Sequence, residues 1–302
     1  MAVTAQMVKE LREATGAGMM DCKKALTEAE CDMERAIDIL REKGLSKAAK
    51  KADRVAAEGL VTIVANEDGT SAAIVEVNSE TDFVAKNEDF KVFVRDVAEM
   101  ALNGESKDVE ELLASQHKEG KDLKAVLHDR IATIGEKLDI RRFERLSTKG
   151  KLAGYIHGGG KIGVVIELDT DSNDEKIFQL GKDIAMQVAA MNPKYLSRDD
   201  VDQDYIAHEK EVLTQQALNE GKPANIVEKM VVGRLNKELK EVCLLDQVFV
   251  KDSDLTIGKL VDKVAKEVGS PIKVSRMIRY EVGEGIEKRE ENFADEVAKQ
   301  MK

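Results

Sequence analysis

The sequence predicts an α+β protein: a small N-terminal three-helix domain, two related α/β halves with antiparallel sheets, an inserted helical hairpin and a C-terminal helix. Three observations predict it. Apolar residues repeat with a helical period up to about residue 55 and then switch to β-rich runs. A hairpin followed by a helix occurs twice, about 90 residues apart. The second occurrence is interrupted by two long helical patterns around a Gly-Lys-Pro turn. Composition permits this architecture. A chain of 302 residues has room for two or more domains, and 42% hydrophobic with 35% charged residues reads as globular rather than disordered. With 4% aromatic residues, the core must be built from Val, Ile, Leu, Ala and Met. The expected boundaries are 1–55 for the head and its linker, 56–150 for the first half, 151–192 with 242–284 for the second, 193–241 for the inserted hairpin and 285–302 for the C-terminal helix.

The elements follow in order. Thr4 can cap a first helix carrying Met7, Val8 and Leu11, which TGAG at Thr15–Gly18 breaks. Asp21 can cap a second with Cys22, Ala25, Leu26 and Ala29. Asp32 can cap a third with Ala36, Ile37 and Leu40, and Gly44 is expected to end it. The basic run SKAAKKADR, Ser46–Arg54, is a helical linker. Leu60–Val64 and Ala72–Val77 read as strands joined by a turn at Glu67–Gly69. Asn87 should cap a helix over Glu88–Leu102 with Phe90, Phe93, Val94, Val97 and Met100 on one face. Helices over Val109–Ala114 and Leu123–Glu136 and a strand Ile140–Leu146 complete the half. The second half opens with strands Leu152–His157 and Ile162–Leu168 around GGGK, Gly158–Lys161. A helix over Asp174–Met191 follows. Strands are expected at Val242–Val250 and Ile272–Val282, with a helix Ile257–Val268 between them. The insertion pairs Val201–Asn219, with Tyr205, Val212 and Leu213 inside, with a helix carrying Ile226, Val227, Met230, Val231, Leu235 and Leu239, and must lean on its own body or on a second copy. Glu290–Lys302 reads as a last amphipathic helix.

Chemical motifs are sparse. The net charge of −11 argues against non-specific nucleic-acid binding over the whole surface, leaving room for a local basic patch, and suits a protein partner; no direct nucleic-acid partner is expected. No apolar run approaches the roughly 18 residues of a membrane span, and no signal peptide is expected. Three cysteines, Cys22, Cys31 and Cys243, lack CxxC pairing, which fits reduced thiols in a cytoplasmic protein. His117, His128, His157 and His208 are far apart in sequence and form no metal-binding spacing. No P-loop, GxSxG or GxGxxG is present, and HGGG at His157–Gly160 reads as a hairpin turn rather than an oxyanion loop. No cofactor and no catalytic residue is expected.

One stretch stands out, SETDFVAKNED at Ser79–Asp89. A phenylalanine sits among polar and charged neighbours in a chain with four Tyr, seven Phe and no Trp. The corresponding connection of the second half, DTDSNDEK at Asp169–Lys176, has no apolar residue, so the fold does not demand Phe83 or Val84. Phe83 is then either a staple onto its own helix or an exposed Asp–Phe tip that enters a partner.

These residues also carry a resemblance. TGAGMMDCKKAL at Thr15–Leu26, TDFVAK at Thr81–Lys86, YIHGGGKIGV at Tyr155–Val164 and RYEVGEGIEK at Arg279–Lys288 resemble, in order, the bacterial translation elongation factor Ts family. The resemblance implies a guanine-nucleotide exchange factor in protein biosynthesis, acting on elongation factor Tu in its GDP-bound and nucleotide-free forms. It implies that Thr81, Asp82, Phe83 and Val84 form a tip beside the partner's switch region, disturbing its Mg²⁺ and phosphate site. It implies partner contacts by Arg12, Met19, Met20 and Lys23 in the head and by His157 in the second half. It also implies a helical dimerisation or coiled-coil subdomain at 193–241, a property that varies across the family. The head further resembles ubiquitin-associated (UBA-like) modules, which leaves a general binding scaffold as the alternative. An enzyme would turn over substrate without a partner, and no residue pattern supports that.

Overall fold

A computed structural model describes residues 2–15 and 17–287 of the chain. The head consists of α1 (Ala5–Thr15), α2 (Met19–Glu28) and α3 (Met33–Ala49). Thr4 caps α1, its Oγ1 accepting from the Met7 amide at 3.2 Å, and Asp32 caps α3 by accepting from the Arg35 amide at 2.9 Å. Asp21 is not the cap of α2. The helix begins earlier, after an extended Gly18, and Asp21 lies in its first turn, where a carboxylate favours the positive end of the helix dipole. Leu11, Cys22, Ala25, Leu26 and Ala36 are fully buried at the centre of this small core.

The next elements are β1 (Glu58–Ala65), β2 (Ser71–Ser79), α4 (Asp82–Lys86), α5 (Glu88–Asn103), α6 (Val109–Ala114), α7 (Leu123–Ile134) and β3 (Leu138–Ser147). The sheet order is β1-β2-β3. Asn66 closes the β1–β2 turn by accepting from the amides of Thr70 and Ser71, both at 2.9 Å. Gly44 does not end α3. A Cβ there would lie 3.4 Å from the Ala132 Cβ of α7, so this glycine marks a close crossing of helices, not a stop. The linker's Ser46–Ala49 is absorbed into α3. On α5, Phe90, Phe93, Val94 and Val97 are buried as their spacing predicts, and the Asn87 side chain caps the helix. The segment between β2 and α5 is no open loop but the short helix α4, with Val84 and Ala85 buried.

In the second half, β4 (Lys151–His157) and β5 (Ile162–Asp169) are antiparallel, with Lys151 opposite Leu168 and His157 opposite Ile162. Gly158, Gly159 and Gly160 all have positive φ (60°, 65° and 101°), which a tight turn needs and side chains resist. Then come α8 (Glu175–Met191), α9 (Gln203–Asn219), α10 (Ala224–Val242), β6 (Val248–Phe249), β7 (Asp252–Thr256), α11 (Ile257–Val268) and β8 (Lys273–Glu281). The sheet order is β4-β5-β8. In both sheets a hairpin comes first and the third strand joins the hairpin's second strand after intervening helices. The chain is thus α+β. Helix α8 buries Ile177, Leu180, Ile184 and Val188 in a cluster with Val164, Ile166 and Leu168.

The strand expected at Val242–Val250 is reduced to Val248–Phe249. Helix α10 runs to Val242 and a 3-10 turn follows at Leu244–Asp246. That stretch is apolar because Cys243 and Leu244 are fully buried, and the Leu244 and Leu245 amides donate to the carbonyls of Tyr195 and Leu196 at 2.9 and 3.0 Å. The inserted hairpin leans at its base on its own flanks, where Val201, Leu235, Leu239 and Cys243 pack with Tyr195 and Tyr205. Compact packing divides the chain into two units. One contains Met1–Thr62, Val75–Glu144 and the described residues from Glu281 on; the other contains Ile63–Ile74 and Arg145–Tyr280. The helix expected over Glu290–Lys302 lies outside the described residues. Among the described residues no helix is long and apolar enough to cross a membrane.

Candidate partner-binding site

The four residues Thr81–Val84 are brought together at the start of α4. Thr81 is the N-cap, its backbone extended and its Oγ1 accepting from the Val84 amide at 3.4 Å. Asp82 and Phe83 form the first turn. Val84 and Ala85 point inward and anchor the helix, so Val84 supports the tip from beneath. Phe83 is 80% exposed, which excludes the staple reading. Lys86 pairs with Asp82 at 2.6 Å and lies 5.9 Å from the Phe83 ring centroid. A carboxylate, an aromatic ring and an ammonium are thus displayed together within five residues.

The tip is held from below by residues that sequence reasoning missed. Helix α7 ends two residues earlier than predicted, because Gly135 adopts a left-handed conformation with φ 88°. Glu136 therefore leaves the helix. Its Oε2 accepts from the amides of Glu80 (3.1 Å) and Thr81 (3.0 Å), and its Oε1 accepts from Thr81 Oγ1 (2.7 Å). Glu80 reciprocates by accepting from the Lys137 amide at 2.6 Å, and Arg54 reaches the same Glu80 carboxylate at 3.3 Å. The signal was present in the sequence: a glycine before Glu136 is a helix-stop residue.

In the head, Arg12, Met19, Met20 and Lys23 come together. All four are exposed, and all four line one groove of about 410 Å³ with Val3, Val8 and Lys9. Met19 and Met20 are 60% and 63% exposed. Flexible thioether side chains beside cations make a surface that adapts to an apolar partner with acidic edges. His157 belongs to the other unit. It ends β4 at the hairpin turn, exposed, with its Nδ1 3.1 Å from Tyr155 Oη.

Other reactive groups are quiet. Cys22, Cys31 and Cys243 form no disulfide, and burial pushes the Cys22 and Cys243 thiols above their ordinary range. Among the described residues no group of three or more His, Cys, Asp or Glu side chains could hold a metal ion. The arrangement suits binding: an exposed tip and an exposed groove, each on a packed scaffold.

Comparison with known proteins agrees with the resemblance. A family model described as Elongation factor TS matches residues 80–284, beginning at the root of the tip. The chain is similar to elongation factor Ts of Clostridioides difficile (strain 630), 71% identical over 300 residues and 99% of each chain. It is also similar to elongation factor Ts of Clostridium novyi (strain NT), 57% identical over 302 residues and 99% of each, and of Clostridium perfringens (strain SM101 / Type A), 56% identical over 298 residues and 98% of each.

Proposed function

We infer the function from one premise: the chain belongs to the elongation factor Ts family. It acts as the guanine-nucleotide exchange factor of elongation factor Tu during translation elongation. It binds the GDP-bound partner, promotes release of GDP and leaves when GTP fills the emptied site. The observation that carries this reading is Phe83, 80% exposed on a short helix whose underside is buried. An isolated aromatic ring held in water in this way is a partner anchor rather than part of the chain's own core.

The mechanism is differential binding. A factor that binds the empty partner more tightly than the loaded one weakens the nucleotide by the same ratio. A ratio of about 10⁴ needs about 5.5 kcal/mol. An aromatic anchor such as Phe83 supplies about 2 kcal/mol. The remainder comes from a broad contact through Arg12, Met19, Met20 and Lys23 and, in the other unit, His157. Asp82 brings a negative charge toward the partner's Mg²⁺ and phosphates. Its ion pair with Lys86 is exposed and so contributes under about 1 kcal/mol, which makes a change of partner cheap.

The test is stopped-flow release of a fluorescent GDP analogue from elongation factor Tu. The chain should accelerate release. Phe83→Ala should reduce the acceleration about 30-fold, the equivalent of its anchor energy, while leaving thermal stability of the free chain within about 0.5 kcal/mol. No acceleration by the unmodified chain would leave a binding scaffold instead.

A further inference from the structure

We propose that Glu136 is a positioning residue for the Asp82–Phe83 tip: its carboxylate holds the root of α4 so that the ring is presented at a fixed angle before the partner arrives. The proposal rests on the exchange reading for its consequence, and on the geometry of the free chain for its substance.

Helix α4 has only five residues, far too few to be stable by itself. Phe83, 80% exposed, contributes little packing to it. What holds it is the burial of Val84 and Ala85, the Thr81 cap and Glu136. The Glu136 carboxylate accepts three hydrogen bonds from two successive residues 55 and 56 positions away in sequence. Because Thr81 Oγ1 donates its proton to Glu136, its lone pairs face the Val84 amide, so the same carboxylate orients the cap. The return bond from the Lys137 amide to Glu80 closes a reciprocal clamp in which each carboxylate holds the other's backbone.

The arrangement favours a carboxylate. All three partners are donors, and an ionised carboxylate offers only acceptors. An amide of the same shape keeps the two backbone bonds through its oxygen only by turning its NH₂ group to Thr81 Oγ1, which must then accept instead of donate, so the cap loses the orientation the carboxylate gives it. Gly135 completes the device, because its left-handed conformation turns the chain so that Glu136 faces the tip instead of continuing α7. A preformed tip meets its partner without first paying the entropy of ordering, so loss of the clamp should slow the step in which the tip acts.

The experiment uses the full chain carrying Glu136→Gln, which keeps the side chain's shape, and Glu136→Ala. Amide hydrogen exchange on the free chain reads the clamp directly. In Glu136→Ala the amides of Glu80, Thr81 and Val84 should lose protection about tenfold or more, while those of β4 and β5 stay as they were; in Glu136→Gln the loss should be confined to the Val84 amide, whose cap is turned. GDP release from elongation factor Tu then reads the consequence. The maximal rate at saturating factor should fall about tenfold, with the half-saturating concentration changed less than about threefold because the head groove still binds. Wild-type protection at Glu80 and Thr81 in Glu136→Ala would overturn the proposal, as would an equal loss across the whole chain. If the unmodified chain does not speed GDP release, the exchange function falls, and protection of the tip amides in the free chain decides the clamp alone.

Discussion

Glu76 shows how far a single side chain governs this fold. It has no exposed surface, yet it is a carboxylate. It accepts from Arg142 Nε at 2.6 Å, the Gly283 amide at 2.8 Å, Arg141 Nη1 at 3.1 Å and Asn78 Nδ2 at 3.1 Å. Burial pushes its pKa up, but the Gly283 amide and the two guanidinium groups pull harder, and the net shift is below the ordinary 4.5. A carboxylate whose folded pKa is lowered stabilises the protein above its unfolded pKa and loses that contribution as pH falls through the folded value. Stability should therefore decline as pH drops below 4.5, in part through this group. Glu76→Gln should cost about 3 kcal/mol at neutral pH, because it takes the buried carboxylate from Arg141 and leaves Arg142 only its half-exposed pair with Glu284. The difference between the two proteins should shrink as the pH falls below 4.5 and through the lowered folded value, where the native carboxylate also protonates. Urea unfolding at a series of pH values checks both statements, and a difference independent of pH would contradict them.

Among the elements, α8 is seated on its sheet by a glycine. A Cβ at Gly181 would come within 2.4 Å of the Ala153 Cβ on β4. Gly181→Ala gains about 1 kcal/mol of helix propensity but overpacks a site that is already close, at a cost of 1–3 kcal/mol or somewhat more, so the net effect should be a loss of about 1 kcal/mol. Adding Ala153→Gly should recover most of it, and denaturant titration of the single and double variants decides the matter. This glycine and Gly44 mark what periodicity hides. Sequence patterns identify a helix's apolar face but not how closely its neighbour approaches, so Gly44 reads as a stop when it is a crossing point. Caps were legible at Thr4, Asp32 and Asn87, because capping is local chemistry of one side chain and amides within three residues. The stretch at Cys243–Leu244 was not legible as a turn, since a short buried apolar run reads the same in a strand as in a tight turn. At the candidate site, the contrast with Asp169–Lys176 singled out Phe83 but left staple and exposed tip open, and only its 80% exposure decides between them. Gly135 signals that Glu136 leaves α7, but the pairing of Glu136 with Thr81 was not legible, because their contact spans 55 residues.

For the whole molecule, exchange depends on which contacts distinguish the loaded partner from the empty one. Contacts that form equally with both strengthen binding without weakening the nucleotide, whereas contacts that form only with the empty partner do both. The two exposed features should divide along this line. The head groove, with Met19 and Met20 more than half exposed beside Arg12 and Lys23, is lined by none of the tip residues and is suited to anchor the factor whatever the nucleotide state. The tip, with Asp82 and Phe83, is suited to the state whose metal and phosphate have gone. A double variant Met19→Ala with Met20→Ala should then weaken binding to GDP-loaded and to nucleotide-free elongation factor Tu by similar factors, about tenfold each. Phe83→Ala should weaken binding to the empty form about 30-fold and to the loaded form much less. By linkage, only the second variant changes the ratio of the two affinities, and that ratio is the factor by which this chain loosens GDP. Calorimetric titration of both variants against both forms measures all four affinities. Equal ratios for the two variants would mean that the differential contact is spread over the whole surface and that the tip is one anchor among many.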